Sequence, residues 1–425
     1  MGVGRAEPPV YRPFALLAFG TAAAAGVPLG IWLLTRLHWG GGPVPPAWLL
    51  LHAHLQIFGL FGVLILGVAH HLVPRFVGRP VTADRAPALF GLVALGLVLR
   101  VGGAAAGRPS ALVVATLLEA AAFLLFTAWL RRALAPAPLA LTRWHLALAT
   151  AWLVAALLLE AALRWKAMAG GATEPDPRGM QVVYLMALLG GVGGWMLGVA
   201  LRAAPMFVVG WRVPPALARA APWTLALGIL AGAAGEAAGG AAGAVALAKL
   251  GEAVAVGTIA TVAVTGGALG RRRAPRSLLA RGGPELWLFR LAMTSAAVAA
   301  VGLFAAAVLA WRGVPVSLLA DALRHLVTVG FLTSMAVAMA FRLIPVFEGV
   351  ALPWPRLPAV AFGALVGGVV LRSSEVLADW VWAGILPWLP LSGVLVWLAV
   401  ASVLASLLGA GRSRWGAAAP PAARP

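Results

Sequence analysis

Apolar runs of about 20 residues recur along the whole chain, separated by short breaks carrying arginine, proline and glycine. Each run is long enough to take a helix through the hydrocarbon of a bilayer. Twelve spans are expected, beginning near Phe14, Trp48, Pro87, Ser110, Trp144, Met180, Ala221, Gly243, Glu285, Val316, Pro358 and Leu386. Their connections are too short for a soluble domain, so residues 1–425 read as one integral membrane domain. The first apolar run lies too far along, and is too long, for a cleaved signal peptide, and it is expected to span. The least distinct boundary is GEAAGGAAGAVALAKLGEA, which separates the seventh and eighth spans by composition alone.

The second, sixth and tenth spans align without a gap. His54, Leu185 and His325 share one column. Gly59, Gly190 and Gly330 follow five residues on, Pro74, Pro205 and Pro345 at twenty, and Phe76, Phe207 and Phe347 at twenty-two. His71, Arg202 and Arg342 occupy the column at seventeen. A period of four spans implies an all-α polytopic protein of three four-helix units in pseudo-threefold arrangement. A two-by-six transporter layout would make the first six spans resemble the last six, and no such match exists.

Composition agrees with the pattern. The chain is 62% hydrophobic and 11% charged, too little charge to cover a soluble domain of this length. The net charge of +19 comes from arginines in the connections. Arg75, Arg79 and Arg85, then Arg131, Arg132 and Arg143, then Arg212 and Arg219, then RRRAPRSLLAR from Arg271 to Arg281, all fall on one side. Arg5, Arg12, Arg412 and Arg414 at the termini share it. The other side holds Arg36, Arg108, Arg178 and Arg312 and more of the acids. That asymmetry predicts an inner-membrane protein with both termini in the cytoplasm, partnered by the lipid bilayer and not by nucleic acid. With no cysteine, thiolate metal sites, disulfides and iron–sulfur clusters are excluded.

Four of the seven histidines fall in one apolar stretch, HAHLQIFGLFGVLILGVAHHLVP, from His52 to Pro74. In the predicted orientation His52, His54 and His325 lie toward the outer face and His70 and His71 toward the cytoplasm. His54 and His325 occupy matched depth on symmetry-related helices. Two neutral imidazoles across a gap are what a six-coordinate haem iron requires. The expected cofactor is therefore a haem of b type between spans two and ten, with Gly59 and Gly330 permitting close approach. Arg324 and Arg372 are placed to meet its propionates. His52 and His54 are about 200° apart around a helix, so only one can serve a given iron. His70 and His71 beside Arg75 read as interfacial, His38 as a loop residue and His145 as a helix-start residue. Arg100, Glu119, Glu160, Lys249 and Glu252 are intramembrane charges, costly unless paired or functional. Lys249 and Glu252, three apart, are expected to neutralise each other. Glu119 and Glu160 are candidates for a proton path or a cofactor environment. No nucleophile triad, phosphate-cradling loop or HExxH motif is present.

YRPFALLA, HAHLQIFG, VPRFVGRP and RHLVTVGFLTSMAVAMAFR together resemble the NnrS proteins, twelve-span haem- and copper-associated membrane proteins of nitric oxide metabolism, similar in layout to the catalytic subunit of haem–copper oxidases. The resemblance implies metal binding by His52, His54 and His325, with haem as cofactor and copper as the second metal to consider. It also implies a diatomic ligand such as nitric oxide, and an electron donor that it does not name. This chain departs from the pattern at Leu55, where the family usually has a carboxylate. It departs again at Phe347, where a later histidine is usual, and at Tyr184 and Leu185, where some relatives have one. Unlike the oxidases, it has no three-histidine copper set beside the haem. The expected function is haem-based nitric oxide handling or nitrosative-stress protection. The alternatives are a proton-coupled secondary transporter without cofactor and a structural or assembly protein on a degenerate oxidase fold.

Overall fold

The computed structural model describes residues 9–135, 140–208, 211–270 and 283–416. Arg5 and the basic connection from Arg271 to Arg281 lie outside them. Among the described residues twelve helices are long and apolar enough to cross a membrane, and there is no strand. The spans are Tyr11–His38, Pro46–Val77, Ala86–Ala105, Pro109–Leu134, Leu141–Ala169, Pro177–Ala203, Pro215–Ala238, Ala242–Thr265, Pro284–Trp311, Ser317–Glu348, Leu357–Val376 and Ala383–Gly411. They are numbered 1 to 12 below. With an even number of spans, Tyr11 at the start of span 1 and Gly411 at the end of span 12 lie toward the same face. Proline opens spans 2, 4, 6, 7 and 9, where its missing N–H has no helical partner to lose. Asp176 caps span 6 by accepting from the Gly179 N–H at 2.7 Å.

Neighbours in sequence pack side by side, and span 12 returns against span 1, closing the set into a ring. Spans 2, 6 and 10 form the centre. Each carries an eight-residue π-helical segment: Leu55–Gly62, Met186–Gly193 and Leu326–Thr333. These begin directly after His54, Leu185 and His325, the first column of the sequence repeat. Small residues, among them Gly59, Gly62, Gly190, Gly193 and Gly330, let the backbone widen there without side-chain crowding. In span 10 the Thr333 and Ser334 hydroxyls donate five residues back, to Thr328 O and Val329 O, as a widened turn requires. Glycines in the left-handed region, Gly78 at φ 69° and Gly349 at φ 68°, end the long helices of spans 2 and 10 at the same offset. The fourfold period in sequence is thus a structural period.

The indistinct boundary between spans 7 and 8 is a tight helical hairpin turning at Gly239, φ 99°. Small residues bring the two backbones into contact, which is how helices associate where lipid offers no hydrophobic drive. A Cβ on Gly251 would stand 2.2 Å from Gly232 N, and one on Gly228 would stand 2.7 Å from Gly251 O. Gly251→Val is expected to push these spans apart and cost about 1–3 kcal/mol or more, read as a lower unfolding temperature in detergent. Gly257→Ala, whose Cβ would meet only Ala300 at 3.8 Å, is the near-neutral control.

Candidate functional site: an imidazole-lined cavity beside a buried ion cluster

A cavity of about 590 Å3 opens in the half of the protein opposite Tyr11 and Gly411. Its walls come from spans 1, 2, 6 and 10, with contributions from spans 7, 8, 9, 11 and 12. The volume falls in the range of small-molecule and cofactor sites, roughly 300–1,000 Å3. His52 and His325 both line it, as do Gln56, Tyr184, Arg324 and Arg372.

The two histidines are held in the same way. His52 Nδ1 lies 2.9 Å from Gly26 O and His325 Nδ1 lies 2.9 Å from Asp321 O. A carbonyl oxygen only accepts, so in the neutral ring each Nδ1 carries the proton and each Nε2 keeps its lone pair. Iron-binding and zinc-binding histidines are oriented by this kind of backbone contact. Gly30 in span 1 makes room for the first ring: a Cβ there would stand 2.6 Å from His52 Cε1.

His54 lies elsewhere. Two residues on, it faces away from the cavity and is fully buried between spans 4 and 5. Its Nε2 is 2.8 Å from Glu119 Oε2 and its Nδ1 is 3.2 Å from Glu160 Oε2. Arg100 of span 3 completes the set, donating to Glu119 Oε2 at 2.9 Å, Glu160 Oε1 at 2.7 Å and Thr116 Oγ1 at 2.7 Å. Arg164 donates to Glu160 Oε1 at 2.7 Å. Two guanidinium groups thus balance two carboxylates.

Of the two histidines offered by span 2, His52 lines the cavity together with His325, whereas His54, placed at matched depth with His325, does not. The reason is helical phase, since the ring of His54 is turned about 200° from that of His52. Gly59 and Gly330 also serve helix packing and not the cavity. A Cβ on Gly59 would meet Thr21 at 3.1 Å, and one on Gly330 would meet Ser295 at 2.6 Å. Arg372 and Arg324 do border the cavity. Arg372 is already engaged by Asp321 and by Glu375, the latter at 2.5 Å, whereas Arg324 has only a 3.4 Å contact with Asp321.

The remaining titratable residues have local explanations. Lys249 pairs with Glu252 at 2.6 Å, as the spacing implied, and also approaches Glu236 at 3.7 Å. His70 is buried, stacks on Trp129 at 4.0 Å and contacts Leu66 O through Nδ1. His71 packs against Phe347 at 4.1 Å. His145 contacts Ala218 O at 3.0 Å, and His38 ends span 1. Gly30, Gln56, Asp321 and Arg164 were not legible as site residues in sequence. For Arg164 a signal existed, its place four residues after Glu160 on one helix face. Among the described residues no three or more His, Asp or Glu side chains form a metal-holding group.

The fold is that of a multi-pass membrane protein similar in architecture to the haem–copper oxidases. A cryo-EM structure of a heme-copper terminal oxidase dimer superposes with a TM-score of 0.64 at 14% identity, over 98% of this chain and 85% of that one. The family model for NnrS protein matches residues 10–410, and the chain belongs to that family. No curated protein matches the sequence.

Removing Arg100 leaves two buried carboxylates facing each other. Arg100→Met is expected to cost about 3–5 kcal/mol, read as loss of folded protein or a much lower unfolding temperature. Glu174, in the connection before span 6, gives a pH test. Burial raises its carboxyl above the usual range and the Arg164 charge opposes this. A raised carboxylic acid binds its proton more tightly in the folded state, so stability falls as pH rises from its unfolded value through its folded value. Glu174→Gln is expected to raise the unfolding temperature slightly at neutral pH, with the gain vanishing in acid.

Proposed function

We propose that this protein is a haem-binding membrane protein of nitric oxide handling or nitrosative-stress protection, with haem held between His52 and His325. One observation carries the reading. Two histidines from symmetry-related helices line one cavity, each with Nδ1 against a carbonyl and Nε2 left to donate to a metal. The family and the oxidase-like fold support it. A b-type haem held there would supply one-electron chemistry and, with one imidazole displaced, an iron position for a diatomic ligand.

The chain's own residues set the conditions. Gly26 O and Asp321 O fix the tautomers and orient the rings. Arg324, at the cavity wall with its guanidinium little engaged, suits a propionate, and Arg372 with its two carboxylates forms a rigid border beside it. Gln56, Gln181, Tyr184 and Thr328 are among the neutral polar groups of the wall that could orient a small ligand. Two cavity imidazoles meet the needs of a six-coordinate haem but leave none over for copper. The arginine asymmetry supports an inner-membrane location with both termini cytoplasmic.

The purified protein is expected to show a Soret band and split α and β bands, with haem confirmed by pyridine extraction. His52→Ala and His325→Ala should each lower haem per protein about tenfold or more. Unchanged haem in a well-folded His325→Ala protein would refute the assignment. The buried His54–Glu119–Glu160 set favours a second reading, proton-coupled transport without cofactor. A colourless preparation would support that instead.

A further inference from the structure

A second cavity, of about 130 Å3, lies in the half of the protein nearer Tyr11 and Gly411. It shares no lining residue with the first, yet the same three central helices wall both. Along span 2 the larger cavity ends at Phe61 and the smaller begins at Leu64. Along span 6 the limits are Leu189 and Trp195, and along span 10 they are Thr333 and Met335. Steps of two to six residues correspond to about 3–9 Å along a helix. The cavities therefore follow one another along the pseudo-threefold axis.

Their chemistry differs. The smaller cavity is walled by methionine, aromatic and aliphatic side chains, including Met196, Met335, Met339 and Phe289. The two polar atoms its wall could offer are committed to partners. Trp195 Nε1 donates to Thr150 Oγ1 at 2.9 Å, and the Tyr11 hydroxyl donates to Glu348 Oε1 at 2.5 Å. A water molecule needs two to four polar partners to be stable in such a space, and this wall supplies none. An apolar cavity of about 150 Å3 engineered in another protein stays dry and takes up benzene or xenon. Methionine sulfur adds a polarisable surface that attracts such guests.

We infer that the smaller cavity is a binding site for a small uncharged apolar molecule of gas size, set in line with the larger cavity. A charged or hydrogen-bonding ligand finds nothing there to replace its hydration, and a porphyrin exceeds the space. The inference does not depend on what fills the larger cavity.

Xenon is the probe. Crystals of the full-length protein pressurised with xenon are expected to show an anomalous peak between Met335, Met339 and Trp195. Ala340→Leu and, separately, Ala200→Leu place a larger side chain at the wall and should abolish that peak while the protein still unfolds cooperatively. Absence of xenon from the wild-type cavity would overturn the proposal, as would continuous lipid-chain density or ordered water in its place. Because the readout is xenon alone, a protein that binds no haem can still pass, and a haem-loaded protein can still fail.

Discussion

An imidazole held between two carboxylates fixes the rotation of span 2, and the site depends on that rotation. His54 lies within 3.2 Å of both Glu119 and Glu160, and Arg100 joins the two acids from a third helix. In hydrocarbon such a set cannot be loosened one member at a time, because any unpaired charge left behind would be strongly destabilising. It therefore sets the angle of span 2 about its own axis. With His54 turned toward spans 4 and 5, helical geometry leaves His52 facing the central cavity. The neighbouring span 1 then completes the setting, Gly26 through its carbonyl and Gly30 through its missing side chain.

The three central helices share a second constraint. Each changes from α to π winding directly after the first repeat column, through a run of small residues. Wider turns recur at functional sites because they displace backbone and side chains from regular helical positions. Here they occupy the middle of the membrane crossing and lie where the larger cavity narrows and the smaller begins. One half of the axis is lined by imidazole, guanidinium and amide groups, the other by methionine and aromatic carbon. A single threefold scaffold thus presents two chemically distinct spaces in series.

Much of the architecture was legible before any coordinates. Runs of apolar residues of bilayer length must span, because an unpaired backbone group in lipid is too costly for any open structure. All twelve predicted spans are present, including the pair divided only by GEAAGGAAG, where glycine density signalled close helix packing and Gly239 makes the turn. The repeat in spans 2, 6 and 10 was visible as matched glycines and prolines. Its structural meaning, a π segment in each, was not, since glycine permits a wide turn without demanding one.

Sequence alone determined the chemical inventory and its depth. Histidine, arginine and glutamate sit at known heights on helices of known order, because the rise per residue is constant and the bilayer limits length. It did not determine which of His52 and His54 lines the cavity together with His325. That choice depends on helix azimuth, which is set by contacts with residues far along the chain, 46, 65 and 106 positions from His54 in the case of Arg100, Glu119 and Glu160. Only packing in three dimensions brings those charges together, and only then does one ring turn inward to the cavity and the other outward to the cluster.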